Sequence, residues 1–422
     1  MDKKRIILYC DRAILACLCF VIFCLPFSKA AIESFIWPAI FLWLLKRALR
    51  CRAGSFWGLL PENGLKKALG IFIAVNFLAV IFSSNLGLSL RAFFGKELKF
   101  LAIYFMVAET INSRKRLNML LITILASALL IVFDSGVQFF RGIDFLRGYA
   151  WRNLTASFSS SVGIASWLTI MIPLFLGLLL SNKGKKKRFN LPLIILIIIL
   201  ITCLLATYIR GAWMGLLIGF FLVFGYIFKN LNLKVKLSCL SAVTAVLVIF
   251  FILPQPLRSK VTAIGRINFK GTMINTRIKS IFKIEKGTSA LIRLMLWKEA
   301  LKVARDYPLT GCGLNTYSIV ARDYKSFEGG GVYPHNSYLQ MLAETGLLGL
   351  LAFFWVLFTF FKIGLHYLNQ RKDFLALGLL SGILAFLAHA FFDTHIYSLQ
   401  LVVLFWFMLG LTVALIKLDP ER

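Results

Sequence analysis

Acidic residues and histidines are scarce in this chain of 422 residues, which has 18 Asp and Glu against 48 Lys and Arg and only four histidines. Apolar side chains make up 59% of the sequence, a larger share than a soluble domain of this length carries. The formal charge of +30 comes from short basic clusters between apolar runs. The composition therefore indicates a polytopic membrane protein and argues against a nucleic-acid partner.

Several motifs that carry common chemistry are also missing. The eight cysteines form no C-x-x-C pair, and most lie in or beside apolar runs, so neither a zinc site nor a redox pair is indicated. There is no G-x-x-x-x-G-K-[ST] loop for ATP and no G-x-G-x-x-G motif after a strand. No cluster of Asp and Glu would hold a divalent metal at a phosphate. We therefore expect neither a metal nor a cofactor.

Apolar runs long enough to cross about 30 Å of hydrocarbon predict an all-α membrane protein with about twelve transmembrane helices. The predicted spans are 13–28, 31–45, 68–83, 91–110, 117–139, 156–180, 191–209, 211–228, 237–253, 345–361, 374–391 and 396–416. The span 91–110 is the weakest, because Lys96, Glu97 and Lys99 need an interface or other helices around them. The basic start and the apolar run to Pro26 resemble a signal peptide, but the many later spans favour a retained first helix.

Basic residues concentrate in alternate connections between these spans, as in the cluster at 183–188. The positive-inside rule makes that side cytoplasmic, and with twelve spans both termini lie there. The chain is then divided into helices one to nine (1–253), a large outer loop (254–344) and helices ten to twelve with a short tail (345–422).

The large outer loop is the exception to the charge rule. From about Pro254 to Asn336 it carries fourteen basic residues against five acidic ones. Long loops cross the membrane whatever their charge, which permits this excess without explaining it. An anionic partner at the outer face explains it, and phosphate is the natural candidate because guanidinium groups match its geometry.

One segment of this loop, Ser289 to Asp306, is expected to form an amphipathic helix along the membrane surface. Thr288 or Ser289 can cap its start, and Pro308 ends it. The predicted apolar stripe consists of Leu291, Leu294, Trp297, Leu301 and Ala304.

His335 is the most conspicuous titratable residue of the loop. It follows Pro334 and precedes Asn336 and a helix that soon becomes fully apolar. A titratable ring at the edge of a membrane helix can work as an acid or a base. The alternative is a solvated loop histidine without a chemical role.

Charged residues near the outer ends of the spans form a second set. We predict that Arg210 and Gly211 make the whole outer connection between spans seven and eight, where an arginine needs a partner or a ligand unless it only snorkels. Asp134 in span five is a candidate counter-ion or a residue that positions an acceptor. His389 and Asp393 either line the same cavity or cap the end of span eleven.

Several of these residues belong to a longer pattern. Arg293 and Trp297 on one helix, then YPLTGCGLNTY, then PHNSYLQMLAETGLLGLL resemble the O-antigen ligase and polymerase family. The I-R-G-A-W turn at Arg210 resembles it as well. The signature covers residues 289–352. Around 155–161 the chain departs from many relatives, since serines stand where an asparagine is common.

The resemblance implies a GT-C-like, metal-independent glycosyltransferase of the bacterial inner membrane. It would take a glycan from undecaprenyl diphosphate and, in the ligase branch, attach it to the lipid A-core of lipopolysaccharide on the periplasmic face, with inversion. The expected partners are the lipid-linked glycan donor, the lipid A-core acceptor and the lipid bilayer.

The resemblance also assigns residues to roles. His335 corresponds to the family's loop histidine, Arg210 to its inter-helix arginine and Arg293 to the arginine before the loop tryptophan, and these three are the predicted catalytic residues. His335 would act as a base or would bind the diphosphate. The residues expected to bind substrate are Asp134, Arg147, Arg152, Arg258, Arg266, Arg277, Tyr333 and Asn336.

Two alternatives stay open. An O-antigen polymerase would use the same donor with a second lipid-linked glycan as acceptor. A lipid-linked glycan transporter would show an internal repeat and charged residues near the bilayer midplane at broken helices. No convincing repeat occurs here, and the charges crowd the outer face.

Overall fold

The computed structural model describes residues 3–50, 64–148, 153–182, 190–229, 289–325 and 333–419. Within these ranges the regular structure is helical, and no β-strand is present. Six of the described helices are long and apolar enough to cross a membrane by length and composition, and two shorter apolar helices accompany them. The prediction of an all-α polytopic membrane protein is confirmed.

The helices fall into two groups, before and after the gap at 230–288. The first group is α1 (Lys3–Cys24), α2 (Lys29–Arg50), α3 (Lys66–Ile81), α4 (Leu86–Ala92), a π-helical segment (Phe93–Glu97), α5 (Leu98–Thr110), α6 (Arg114–Arg141), α7 (Ser161–Ser181), α8 (Asn190–Ala206) and α9 (Arg210–Lys229). The second group is α10 (Ser289–Asp306), α11 (Tyr317–Val320), a 3₁₀ segment (Ala321–Tyr324), α12 (Ser337–Gln370), α13 (Phe374–His389), a 3₁₀ segment (His395–Tyr397) and α14 (Leu399–Lys417).

Most predicted spans coincide with one of these helices to within a few residues. The predicted span 237–253 lies outside the described residues. The segment 91–110 is not one continuous α-helix, because α4, the π-helical segment and α5 divide it. Its charged residues find partners: Lys99 Nζ lies 2.6 Å from Glu33 Oε1, and Asn76 Nδ2 donates to Glu97 Oε1 at 3.1 Å. Packing against neighbouring helices therefore makes these charges tolerable.

The helices run between two ends of the molecule, which we call the basic end and the site end. At the basic end, Lys46 in α2 contacts Asp11 in α1 at 2.6 Å and Glu109 in α5 at 2.9 Å. At the site end, the backbone N–H of Ser337, where α12 begins, donates to the carbonyl of Ala390 after α13 at 2.9 Å. Different sets of helices are thus joined at the two ends.

The buried centre of the bundle is formed by α7, α13, α14 and α5. Small residues let these helices approach closely, which is how helices associate in a membrane. A Cβ atom at Gly378 of α13 would lie 2.5 Å from the carbonyl of Pro173 in α7, and one at Gly410 of α14 would lie 2.7 Å from the carbonyl of Tyr104 in α5. This close packing fixes α13 against α7 and α14 against α5.

Helix α10 begins and ends where the sequence predicts, but its buried face differs from the predicted stripe. Leu296, Ala300 and Val303 are buried, while Leu294 and Leu301 are exposed. Ala300 and Val303 belong to a small apolar cluster with Cys312, Tyr317 and Ala343. The stripe prediction assumed a helix lying on a membrane, whereas α10 packs against the following loop and the start of α12.

The glycine-rich motif after α10 docks onto a break in α12. The backbone N–H of Cys312 donates to the carbonyl of Ala343 at 2.8 Å, and that of Leu347 donates to Pro308 at 2.9 Å. At the break, Gly346 has φ 65°, and a Cβ atom there would overlap the carbonyl of Leu309. The motif therefore locks the first turns of α12, which directly follow His335.

Candidate functional site

His335 lies at the site end, immediately before α12. Its φ of 48° is in the left-handed region, which non-glycine residues rarely occupy and which is often found at functional sites. The next residue, Asn336, caps α12 by accepting from the backbone N–H groups of Tyr338 and Leu339 at 3.0 and 3.1 Å. Ser337 Oγ donates to the carbonyl of Asp393 at 2.8 Å. The cap and this bond hold the His335 backbone in its conformation.

The imidazole of His335 contacts a carboxylate. His335 Nδ1 lies 3.2 Å from Asp393 Oδ1, and 42% of the histidine side chain is exposed. Burial raises the pKa of Asp393, but the hydrogen bond from His335, the charges of His395 and His335 and the bond from the Thr394 N–H together outweigh burial, and the net shift of the pKa is downward. An ionised Asp393 can only accept a hydrogen bond, so Nδ1 of His335 carries the proton of this bond. In neutral His335, Nε2 is therefore the nitrogen that can accept a proton.

Two further histidines flank Asp393 in the chain. The rings of His389 and His395 are 4.0 Å apart between centroids, and both are buried. Ser166 Oγ of α7 lies 3.4 Å from His389 Nδ1 and 3.3 Å from His395 Nδ1. The Ser166 hydroxyl donates its single hydrogen to the carbonyl of Val162 at 2.7 Å. The Nδ1–H groups of the two rings must therefore donate to the Ser166 oxygen. This pair links α7 to the loop that carries Asp393.

Arg293 of α10 lies within electrostatic range of the same loop. Burial lowers the pKa of His395 to about 4; Asp393 opposes this shift, and the charge of Arg293 adds to it. One turn after Arg293, the ring of Trp297 packs edge-on against Phe391 at 5.3 Å. His395 is thus neutral near pH 7, and α10 brings the Arg293 cation to the site end.

Arg210 reaches this region from α9, although not from the position that we predicted. The connection between α8 and α9 consists of residues 207–209, and Arg210 is the first residue of α9. A Cβ atom at Gly211 would lie 2.7 Å from Phe392 Cβ and 3.1 Å from His389 Cδ2. The start of α9 therefore packs directly on the end of α13 and the loop after it. The predicted two-residue turn was wrong because a helix can begin at the arginine itself.

The structure thus brings the elements that carry His335, Arg210 and Arg293 to one short segment, residues 389–395. Tyr333 and Asn336 flank His335 in the chain. The Tyr333 ring is half-exposed, whereas Asn336 is buried, and its Nδ2 has no hydrogen-bond acceptor among the described residues.

Asp134 and Arg147 lie in another part of the site end. Asp134 is buried and accepts from the backbone N–H of Phe145 at 2.6 Å and from the hydroxyl of Ser157. The backbone N–H of Arg147 donates to Asp144 Oδ1. These bonds shape the loop between α6 and α7, and a role of either residue in substrate binding stays a prediction. Arg152, Arg258, Arg266 and Arg277 lie outside the described residues.

Sequence reasoning left the role of Asp393 open and passed over His395. The available signal was the sequence D-T-H directly after an apolar span. The contact with His335 joins residues 58 positions apart, and no local pattern reports such a distance. The sequence suggests a cavity lining or a helix cap for Asp393, and the contact with His335 is a third role that neither expectation includes.

The arrangement combines a half-exposed histidine, a carboxylate that orients it and two arginine-bearing helices. A histidine with an ionised partner can take a proton from a hydroxyl group. Arginine side chains and the start of a helix both stabilise anions such as phosphate. The site is therefore suited to a transfer reaction in which a hydroxyl group attacks and an anionic group leaves.

Comparisons with known proteins give one match. No curated protein matches the chain. Residues 195–354 match the family model described as O-antigen ligase, a range that includes Arg210, Arg293 and His335 but ends before Asp393. The chain is therefore a membrane protein that carries a match to an O-antigen ligase domain over residues 195–354.

Proposed function

We propose that this protein transfers a glycan from undecaprenyl diphosphate to the lipid A-core of lipopolysaccharide. The observation that carries the proposal is the His335–Asp393 contact at 3.2 Å at the end of the molecule where α9 begins with Arg210 and α10 presents Arg293. This end lies on the periplasmic side of the bacterial inner membrane, and the basic end lies on the cytoplasmic side.

The acceptor hydroxyl is the nucleophile. Its oxygen forms a bond to the anomeric carbon of the donor sugar while Nε2 of His335 takes its proton. The bond between that carbon and the diphosphate oxygen breaks, and its electron pair leaves with undecaprenyl diphosphate. A single displacement of this kind inverts the anomeric configuration. Asp393 stabilises the imidazolium that forms.

The arginines act on the leaving group. Arg210 adds a guanidinium group to the partial positive charge at the start of a 20-residue helix. Arg293 adds a second cation from α10. Charge-assisted hydrogen bonds to the diphosphate grow stronger as it gains charge in the transition state. In this mechanism the arginines do the electrostatic work that a metal ion does in other transferases.

The test is reconstitution of the purified protein with undecaprenyl-diphosphate-linked glycan and lipid A-core, without nucleotide and with a chelator present. We expect glycan on lipid A-core with wild-type protein and none with His335→Ala. Glycan that lengthens on its own lipid carrier would assign the protein to the polymerase branch. Absence of transfer to either acceptor by folded protein that binds the donor would overturn the proposal in favour of transport.

A further inference from the structure

A cavity of about 580 Å³ opens beside the candidate site. Its volume falls in the range of roughly 300 to 1,000 Å³ that is typical of small-molecule sites. Tyr333, two residues before His335, and Thr394, next to Asp393, both line it. The cavity therefore borders the two chain segments that carry His335 and Asp393.

The loop after α13 separates the cavity from the arginine-bearing helices. Thr394, Ile396 and Tyr397 line the cavity, whereas His395 turns to Ser166 at 3.3 Å. The start of α9 packs against the opposite side of this segment, near His389. His335 can thus be approached from two directions, along the arginine side and along the cavity.

The two directions differ in charge. Three lysines and three glutamates line the cavity, so the formal charges of its lining cancel: Lys29, Lys96, Lys99, Glu33, Glu97 and Glu344. Protein contacts already hold two of the lysines, with Lys99 Nζ at 2.6 Å from Glu33 Oε1 and Lys96 Nζ at 2.8 Å from Asn315 Oδ1. A lining of this kind favours a neutral polar ligand over a diphosphate.

Hydrogen-bonding capacity remains in the lining. Asn76 and Gln340 are buried, and Asn76 Oδ1 and Gln340 Oε1 have no donor among the described residues. Buried acceptors normally have a partner, and the hydroxyl groups of a sugar supply donors. Phe72, Phe353 and Trp406 add aromatic surface to the same lining. Aromatic walls with a few fixed polar groups are typical of a site for a polar organic ligand.

The backbone is irregular where it meets the cavity. The π-helical segment Phe93–Glu97 interrupts the helix between α4 and α5, and both Lys96 and Glu97 line the cavity. π-Helical turns are rare and occur frequently at functional sites. No proline lies in this segment to cause the break.

We propose that this cavity holds the sugar portion of the acceptor and presents its hydroxyl group to His335 from the side opposite the arginines. The inference rests on the proposed function. It assigns the diphosphate-linked donor to the arginine side and the acceptor to the cavity side. The ligand is a neutral polyhydroxyl group on a lipid anchor, and it comes either from lipid A-core or from a second lipid-linked glycan. Tyr333 and Gln340 are acceptor-binding residues in this assignment.

The test uses Tyr333→Ala and Gln340→Met, with Tyr9→Ala as the matched control. Tyr9 is an exposed tyrosine of α1 near the basic end, so its loss reports the cost of deleting a surface ring. Initial rates are measured with varied acceptor at saturating donor, and then with varied donor at saturating acceptor. We expect KM for the acceptor to rise about tenfold in both cavity variants, which corresponds to one lost hydrogen bond or ring contact. KM for the donor should stay within about twofold of wild type.

The two acceptor sources are separated by running the assay with lipid A-core and with lipid-linked glycan as acceptor. An unchanged KM for the acceptor, or an equal rise for donor and acceptor, would overturn the cavity assignment and leave the proposed function standing. If the wild type transfers to neither acceptor, the proposed function fails. The cavity is then tested by stabilisation of the wild type and of Tyr333→Ala against heat by each acceptor alone, and equal stabilisation would refute it.

Discussion

The two ends of this molecule differ in how far their charged and titratable side chains are buried. At the basic end, Lys46 is 1% exposed and lies between Asp11 and Glu109, while Arg47 and Arg50 contact Glu109 at 2.8 and 3.0 Å. At the site end, His335 is 42% exposed and contacts Asp393. The central cation of the basic end is enclosed by protein, whereas the site end keeps an accessible ring.

The difference separates a structural network from the candidate site. A buried ion pair in which one partner is removed destabilises the fold, because the remaining charge has no partner. A half-exposed histidine contributes little to packing. We therefore explain the position of His335 by the contact that its ring can make with a bound substrate. Substitutions at the basic end should therefore change stability, and substitutions at the site end should change the reaction.

The largest effect is expected for His335→Ala. Losing a general base typically costs about a hundredfold to ten-thousandfold in rate, and the transfer rate per folded molecule should fall by that much. His366→Ala is the matched control, since His366 is an exposed histidine at the basic end. His335→Gln distinguishes the two roles of the ring, because substantial activity in this variant would show that His335 binds the diphosphate and is not a base.

Lys46→Met should produce the largest loss of stability. Removing this cation leaves Asp11 and Glu109 with fewer partners at a buried position, at a cost of about 3–5 kcal/mol. The melting temperature in detergent should fall well below that of Lys115→Met, which removes an exposed lysine at the same end. Transfer activity per folded molecule should be close to wild type, and a selective loss of activity would contradict the division between the two ends.

Arg210→Lys tests whether the start of α9 needs a guanidinium group and not merely a positive charge. Lysine keeps the charge but cannot make the paired hydrogen bonds that arginine makes to phosphate, so we expect roughly a hundredfold loss in rate. Arg141→Lys, an exposed change at the end of α6, is the control. Near-normal rates with Arg210→Lys would remove the case for specific recognition of the diphosphate by this residue.

The smallest effect is expected for Asp393→Asn. The ring of His335 stays but loses its charged partner, and the transfer rate should fall by roughly tenfold to a hundredfold. Because the folded protein lowers the pKa of Asp393, its ionisation stabilises the fold above the ordinary carboxyl pKa of about 3.9. This contribution is lost as the pH falls through the lowered pKa. The difference in melting temperature between wild type and Asp393→Asn should therefore shrink at strongly acidic pH.

Much of the fold was predictable because a membrane leaves few choices. Apolar runs of the right length must form helices that satisfy their own backbone, and most predicted spans within the described residues agree with described helices. The helix Ser289–Asp306 was predicted with its bounds, because its caps are local signals. Its buried face was not predicted, since it depends on the loop and on α12, which pack against it.

The features of the candidate site also fall into those that the sequence predicts and those that only the structure shows. The sequence by itself determined that the chain is an all-α membrane protein, and it predicted His335, Arg210 and Arg293 as site residues, because charge in an apolar chain and a long motif are visible without coordinates. Only the tertiary structure decided that Asp393 holds His335, that the motif glycines lock the break at Gly346, and that a polar cavity adjoins the site. Each of these depends on contacts between residues distant in the chain, and such contacts are set by how the helices pack.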